Sequence, residues 1–243
     1  AGLHLAASIG NPVGLIEDDS VQILLARSLR HGGFALPDAN GVPISDPLPG
    51  LAALLMAPVW LVEPNWTPLR AVALLSLAAA VFFTWRIGKR LLPEPWPNVA
   101  AGLTALSPVL VRHSGLVLPD IPFLALTLIS LDLGTREGPW MKAAPALIAA
   151  GLAALVRPHG AFLCLSLAAG LLLSRNRDAG SLSRQRQRGV LFLACLIPLG
   201  LWLLRNKLLS GVSTGYAVNW RTQISLLGEP WAMARHSLGL IRS

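Results

Sequence analysis

The sequence predicts an all-α, polytopic membrane helix bundle with several short or broken helices. Three observations predict it. Apolar residues make up 53% of the 243 residues and charged residues only 13%, with a mean hydropathy of +0.59. A soluble domain carries about 25% charge, so the bilayer is this chain's main solvent. Charge-free runs then recur along the chain, at 47–62, 71–85, 95–111, 121–131, 143–156, 158–174 and 189–204. Finally, charge is segregated by sign. The interval 17–46 sums to −3 and the interval 175–188 to +4. Short basic segments stay on the cytoplasmic side, which makes 17–50 an extracytoplasmic acidic loop and 175–188 a cytoplasmic basic loop of one module covering 1–243. Topology alone accounts for the arginine tract, so no nucleic-acid partner is expected.

The first apolar run, 1–16, is short, contains His4 and starts at Ala1. It reads as the later part of a first membrane helix, in a chain that is a piece of a longer one. Glu17, Asp18 and Asp19 follow it. Ser20 to Arg30 is then amphipathic, with Val21, Leu24, Leu25, Ser28 and Leu29 at i, i+3, i+4, i+7 and i+8. His31-Gly32-Gly33 stops it, glycine being the usual residue just past a helix end. A helix of this kind between membrane spans lies flat in the interface. Pro37 to Pro43 is turn chemistry, leading to Asp46 and the next apolar run.

None of the charge-free runs reaches the roughly 18 residues of a simple spanning helix. Flanking arginines such as Arg70 and Arg86 extend spans by snorkelling, and other helices are broken. Arg157-Pro158-His159 divides 143–174 into two helices, because proline does not continue a helix. Charge bookkeeping places 17–46 outside and Arg86, Lys89 and Arg90 inside. That is one crossing, whereas 47–62 and 71–85 offer two, so the run 47–62, interrupted by Pro58, is read as re-entrant. Downstream the same bookkeeping puts Asp120 and Arg157 on the side of the acidic loop. Cys164 and Cys195 lie in apolar runs and read as small core residues. Asn65-Trp66-Thr67 fits a glycosylation sequon beside a membrane run and is discounted. No phosphate-binding loop, zinc-protease helix, nucleophile elbow or dinucleotide fingerprint is present.

Two places carry candidate chemistry. Three adjacent carboxylates repel one another unless a cation joins them. Capping of the following helix explains one of them, and a solvated loop is the other plain reading. Asp120 sits between apolar runs in Leu118-Pro119-Asp120-Ile121-Pro122, where an ionisable residue at membrane depth is costly. Its plain reading is an N-cap before Pro122. Arg112 and His113 precede it by one to two turns, and Arg157 and His159 flank the other proline break. Carboxylates from two segments and cations from two others make a candidate site.

The order of these motifs resembles the GT-C membrane glycosyltransferases, in the bacterial branch related to protein O-mannosyltransferases and the lipid A aminoarabinose transferase. Asp18-Asp19 with the helix after it resembles the family's acidic pair and interfacial helix in the first extracytoplasmic loop. Asn40 to Pro47 resembles its second loop segment, with Asp46 at the acidic position. Ser107-Pro108 through Phe123 resembles the stretch in which Asp120 is the acid. Ala153 to Pro158 and Ile197 to Asn206 resemble later segments. Ser20-Val21-Gln22 departs from the aromatic residue often found after the pair, and Pro47 stands where a lysine often follows the loop acid. Family members are also usually much longer.

The resemblance implies an inverting transfer of a sugar from a polyprenyl-phosphate donor to a lipid, glycan or protein acceptor. It implies a site on the outer face of a bacterial cytoplasmic membrane. Asp18 and Asp120 are then the catalytic candidates, and Arg157, Arg112 and His113 the donor-phosphate ligands. Asp19 and Asp46 are carboxylates suited to a magnesium or manganese ion. The rival classes are a membrane transporter or lipid-binding scaffold, whose charges would form a pathway, and an inactive fragment. The first two differ in whether Asp18 and Asp120 converge at one membrane face.

Overall fold

The computed structural model describes residues 13–14, 18–35, 47–63, 65–136, 140–173 and 179–210. Among the described residues the chain is helical with no strand. In chain order the helices are α1 (Asp19–Arg30), α2 (Pro49–Val62), α3 (Arg70–Leu91), α4 (Trp96–Leu106), α5 (Pro108–His113), α6 (Asp120–Gly134), α7 (Trp140–Val156), α8 (Gly160–Leu173), α9 (Ala179–Ala194) and α10 (Ile197–Ser210). By length and composition, Thr67–Leu91 and Leu182–Leu209 suffice to cross a membrane. The helices Pro49–Val62, Ala143–Val156 and Gly160–Leu173 are apolar but shorter. Large apolar side chains such as Leu75, Leu103, Ile148, Phe162 and Leu201 face outward, as a bundle immersed in lipid requires.

Ion pairs fix the direction of the helices. Arg86 and Arg90, late in α3, meet Asp132, late in α6, so these helices run the same way. Between them α4 and α5 return: Gly88 abuts Pro97, and the Trp85 indole N–H donates to Asn98 Oδ1 at 3.0 Å. The chain turns back after α6 into α7, which packs along it. At Arg157-Pro158-His159 it turns again into α8, as the proline break predicts. A β-carbon on Gly160 would overlap backbone atoms of Ala153 and Ala154, so only glycine permits this approach. The α7–α8 seam is otherwise built from Ala146, Ala150, Ala154, Cys164 and Ala168, with Phe192 of α9 against it. Small residues let helix backbones approach closely in lipid, where packing rather than water expulsion drives association. The two cysteines are free thiols, as expected.

Two readings of the sequence change here. Residues 179–188 are not loop but the first turns of α9. Ser, Leu, Arg and Gln offer the helix no proline, and Arg188 is buried, with its guanidinium donating to the Gly134 carbonyl at 2.7 Å and to the Arg136 carbonyl. Arg188 thus closes off the end of α6. The buried face of α1 is also rotated from the one the periodicity picked: Asp19, Gln22, Ile23, Leu25 and Ala26 are buried, while Val21 and Leu29 are partly covered. Helix α2 lies along one side of α1, and Val13 joins the same apolar cluster, so α1 packs one face onto the bundle and leaves Arg27 and Arg30 exposed.

The α1–α2 layer caps one end of the bundle. Gly50, at the start of α2, lies against the backbone of Leu155 and Val156 at the end of α7. At the other end of α2, Val59 and Val62 share a cluster with Leu69 and Val72 at the start of α3, and Glu63 pairs with Arg27 at 2.8 Å. Both ends of α2 therefore sit at the same end of the bundle. The 14 residues of α2 span only about 21 Å. The chain thus starts α3 at the same end of the bundle at which α2 began.

Candidate functional site

The site forms at the capped end, where three chain breaks meet. Ser107 leaves the helical path, Pro108 opens the short helix α5, and this helix ends in Arg112 and His113. Ser114 is buried, its hydroxyl donating to the Val111 carbonyl at 2.8 Å. Leu116, Val117 and Leu118 are buried after it, and Val117 joins the α1–α2 cluster. The buried connection fixes the start of α6, whose first residue is Asp120, with Pro122 in its first turn. The carboxylate of Asp120 makes no capping hydrogen bond, and Pro119 holds the cap position. Asp120 instead reaches across to the break between α7 and α8. Arg157 Nη2 lies 2.7 Å from its Oδ1, and His113 Nδ1 lies 3.9 Å from its Oδ2.

Arg157 is held just as firmly. Its N–H donates to the Ala153 carbonyl at 3.0 Å, and its carbonyl accepts from Gly160 N–H at 2.9 Å. The glycines at positions 50 and 160 bring α2 and α8 against the last turn of α7. The Asp120 and Arg157 side chains remain about a third exposed, at 35% and 34%. The pair is therefore neither lipid-buried nor fully solvated, and it retains donors for a third group. Arg157 Nε and His113 Nδ1 are buried without a hydrogen-bond partner among the described residues. The 3.9 Å between His113 Nδ1 and Asp120 Oδ2 is too long for a hydrogen bond. Arg112 and His159 are exposed next to this group.

The acidic segment divides by helical phase. Asp19 is fully buried, and its Oδ2 accepts from Gly14 N–H at 2.9 Å. It ties the chain before α1 to the helix. Asp18 is exposed at the helix start, makes no side-chain cap and has no ion pair among the described residues. Helix α1 and the Asp120 connection share the Val117 cluster, so Asp18 and Asp120 belong to the same end of the bundle. Glu17, Asp38 and Asp46 lie outside the described residues. No group of three His, Cys, Asp or Glu side chains suited to a metal occurs among the described residues. Asp19, committed to a backbone N–H, fits a tether better than an open coordination position.

One charged centre escaped the sequence reading. Asp132, fully buried, gathers Arg86, Arg90 and Arg136 at the opposite end. The signal was the spacing: Arg86 and Arg90 are four residues apart on α3, and Arg136, just past the end of α6, follows Asp132 by four residues. With the geometry in place, comparison with known proteins adds one finding. The family model described as dolichyl-phosphate-mannose-protein mannosyltransferase matches residues 46–202, which include Asp120, His113 and Arg157. No curated protein and no solved structure matches the chain.

Proposed function

The chain belongs to the dolichyl-phosphate-mannose-protein mannosyltransferase family, and from that premise we propose that it transfers a sugar from a polyprenyl-phosphate donor to an acceptor hydroxyl at the capped end of the bundle. Membership makes it a membrane glycosyltransferase. The finer reading, including donor, inversion and residue roles, is carried by one observation: Arg157 is clamped by Asp120 at 2.7 Å, with His113 beside it, at the end of the bundle that also bears the exposed Asp18.

In this reading the acceptor oxygen attacks the anomeric carbon from the face opposite the phosphate. The bond from that carbon to the phosphate oxygen breaks, its electron pair leaves with the phosphate, and the configuration inverts. Phosphate leaves without protonation, so one general base suffices, unlike the paired carboxylates of glycoside hydrolases. Asp18 takes the hydroxyl proton, being exposed and without an ion pair among the described residues. Asp120 cannot do both jobs well, since its charge is already committed to Arg157. It acts by orienting the guanidinium, whose planar fork matches phosphate oxygens. His113 and Arg112 add donors on the short helix α5. The acidic end faces the cell exterior and the arginine end the cytoplasm of a bacterial cell, following the positive-inside rule. Asp19, buried and bound to the Gly14 N–H, does not offer the open position a magnesium or manganese ion needs, Asp46 lies outside the described residues, and no step here is routed through a metal.

The test is transfer itself. The protein in bilayers is incubated with polyprenyl-phosphate sugars labelled in the sugar and with candidate acceptors. Transfer of label with release of polyprenyl phosphate supports the reading. Binding and translocation of the labelled lipid without transfer would make the chain a carrier instead.

A further inference from the structure

At the end of the bundle opposite the Asp120 site, one carboxylate organises three arginines. Arg86 Nη2 and Arg136 Nη2 lie 2.8 and 3.0 Å from Asp132 Oδ2, and Arg90 Nη1 lies 3.2 Å from Oδ1. Arg90 also donates to the Asp132 carbonyl at 3.0 Å and to Thr135 Oγ1 at 3.3 Å. A carboxylate has lone pairs enough for three donors, so hydrogen bonding explains the convergence. Charge does not balance. Asp132 cancels one positive charge of three, and Glu137, outside the described residues, would still leave an excess. Asp132 is 0% exposed, while the Arg86, Arg90 and Arg136 side chains are 25%, 41% and 46% exposed. Each guanidinium thus turns part of its five-donor fork outward from a shared buried anchor. Three like charges held this close, in a layer less polar than water, repel one another and attract an anion.

The surroundings identify the layer. Phe82, Leu91 and Trp96 are exposed apolar side chains beside the cluster. The Arg86 guanidinium lies over the Phe82 and Phe83 rings at 5.4 and 5.1 Å, and Lys89 lies over Trp85 at 5.3 Å. Aromatic rings interleaved with cations at a helix end mark the headgroup depth of a bilayer. Lys89 does not add to the excess, because Glu94 takes its charge at 2.7 Å.

We propose that the Asp132 cluster binds the phosphate of an acidic phospholipid in the leaflet at this end, with Asp132 holding the three guanidiniums in a converging array. Guanidinium forks match phosphate oxygens bidentately, and the exposed apolar flank accommodates acyl chains, which a soluble phosphate would not use. The site needs only the membrane bundle and is independent of the sugar-transfer reading.

The test reconstitutes the protein in mixed phosphatidylcholine and phosphatidylglycerol bilayers, extracts it gently and measures the retained lipids by native mass spectrometry. The wild type is expected to retain phosphatidylglycerol in excess over its share of the bilayer. Each guanidinium that hydrogen-bonds the bound phosphate contributes about fivefold or more, so Arg90→Gln/Arg136→Gln should lower that enrichment about tenfold or more. Arg184→Gln/Arg186→Gln removes two exposed charges of α9 at the same end and should leave most of it. Enrichment absent from the wild type, or lost equally in both double variants, overturns the proposal. So does displacement of phosphatidylglycerol by inorganic phosphate, which would reassign the site to a soluble anion. If the Arg90 and Arg136 double variant does not fold, Arg136→Gln alone should show the fivefold loss, and full enrichment in it overturns the proposal.

Discussion

Gly160→Ala is a one-carbon change whose consequence can be worked from the geometry. The added β-carbon would lie 2.5 Å from the Ala153 carbonyl oxygen and closer still to Ala153 C and Ala154 N. Ordinary contact begins near 3.4 Å, so the two backbones must separate by about 0.9 Å or more. Neither side can yield by rotating a side chain, because the obstacle is backbone. Overpacking of this kind costs typically 1–3 kcal/mol, occasionally more. At about 2–4 °C per kcal/mol for a chain of this size, the apparent Tm should fall by roughly 2–12 °C. The same shift moves the turn that carries Arg157, so the 2.7 Å pair with Asp120 opens and donor binding weakens alongside stability. The matched control is Gly170→Ala, in the same helix, where an added β-carbon meets nothing within 4 Å. Helix propensity then favours alanine by about 1 kcal/mol, and the control should be neutral or stabilised. Thermal unfolding in detergent and titration with a labelled polyprenyl-phosphate sugar read both effects. An unchanged Tm and donor affinity in Gly160→Ala would refute the claim that the α7–α8 approach sets the position of Arg157.

Other perturbations separate structure from chemistry. Arg157→Ala should weaken donor binding about tenfold or more, since a charge-assisted hydrogen bond contributes about 1.5–3 kcal/mol, with little change in Tm because the pair is a third exposed; direct donor titration measures it. Asp132→Ala removes the shared acceptor of three partly exposed guanidiniums and should destabilise by about 1–3 kcal/mol; thermal unfolding reads this, and transfer by the folded fraction should persist. Asp19→Ala removes the acceptor of Gly14 N–H and should cost about 1–3 kcal/mol, with proteolysis near the start of α1 reporting the loosened segment.

Much of the fold was legible because the bilayer restricts it. The acids before Ser20 and the glycines after His31 bounded α1 to within a residue, and the proline after Arg157 marked the turn that builds the site. The charge segregation put Asp120 and Arg157 at the same end. Local sequence could not show which acid of an adjacent pair turns inward. Asp19 is buried and Asp18 exposed because α2 and Val13 cover one side of α1, a packing decision made by residues far along the chain. The phase of α1 was misread for the same reason. The helical start of α9 was missed because arginine was read for topology, although it is also a good helix former. Asp132 looked like the end of an apolar run. The i,i+4 spacing to Arg136 was its one local sign; its other partners, Arg86 and Arg90, lie more than forty residues earlier.

The central claim is a division of labour: Asp18 takes the proton and Asp120 positions Arg157. Single-turnover transfer with saturating labelled donor tests it directly, comparing wild type, Asp18→Asn and Asp120→Asn at matched expression and folding. Asn keeps the shape of Asp and removes the basic carboxylate, and loss of a general base costs ~10²–10⁴ in rate. The account predicts that loss for Asp18→Asn with donor affinity intact, and weakened donor affinity as the main defect of Asp120→Asn. Wild-type turnover in Asp18→Asn, with Asp120→Asn dead at saturating donor, would contradict it and move the base to Asp120.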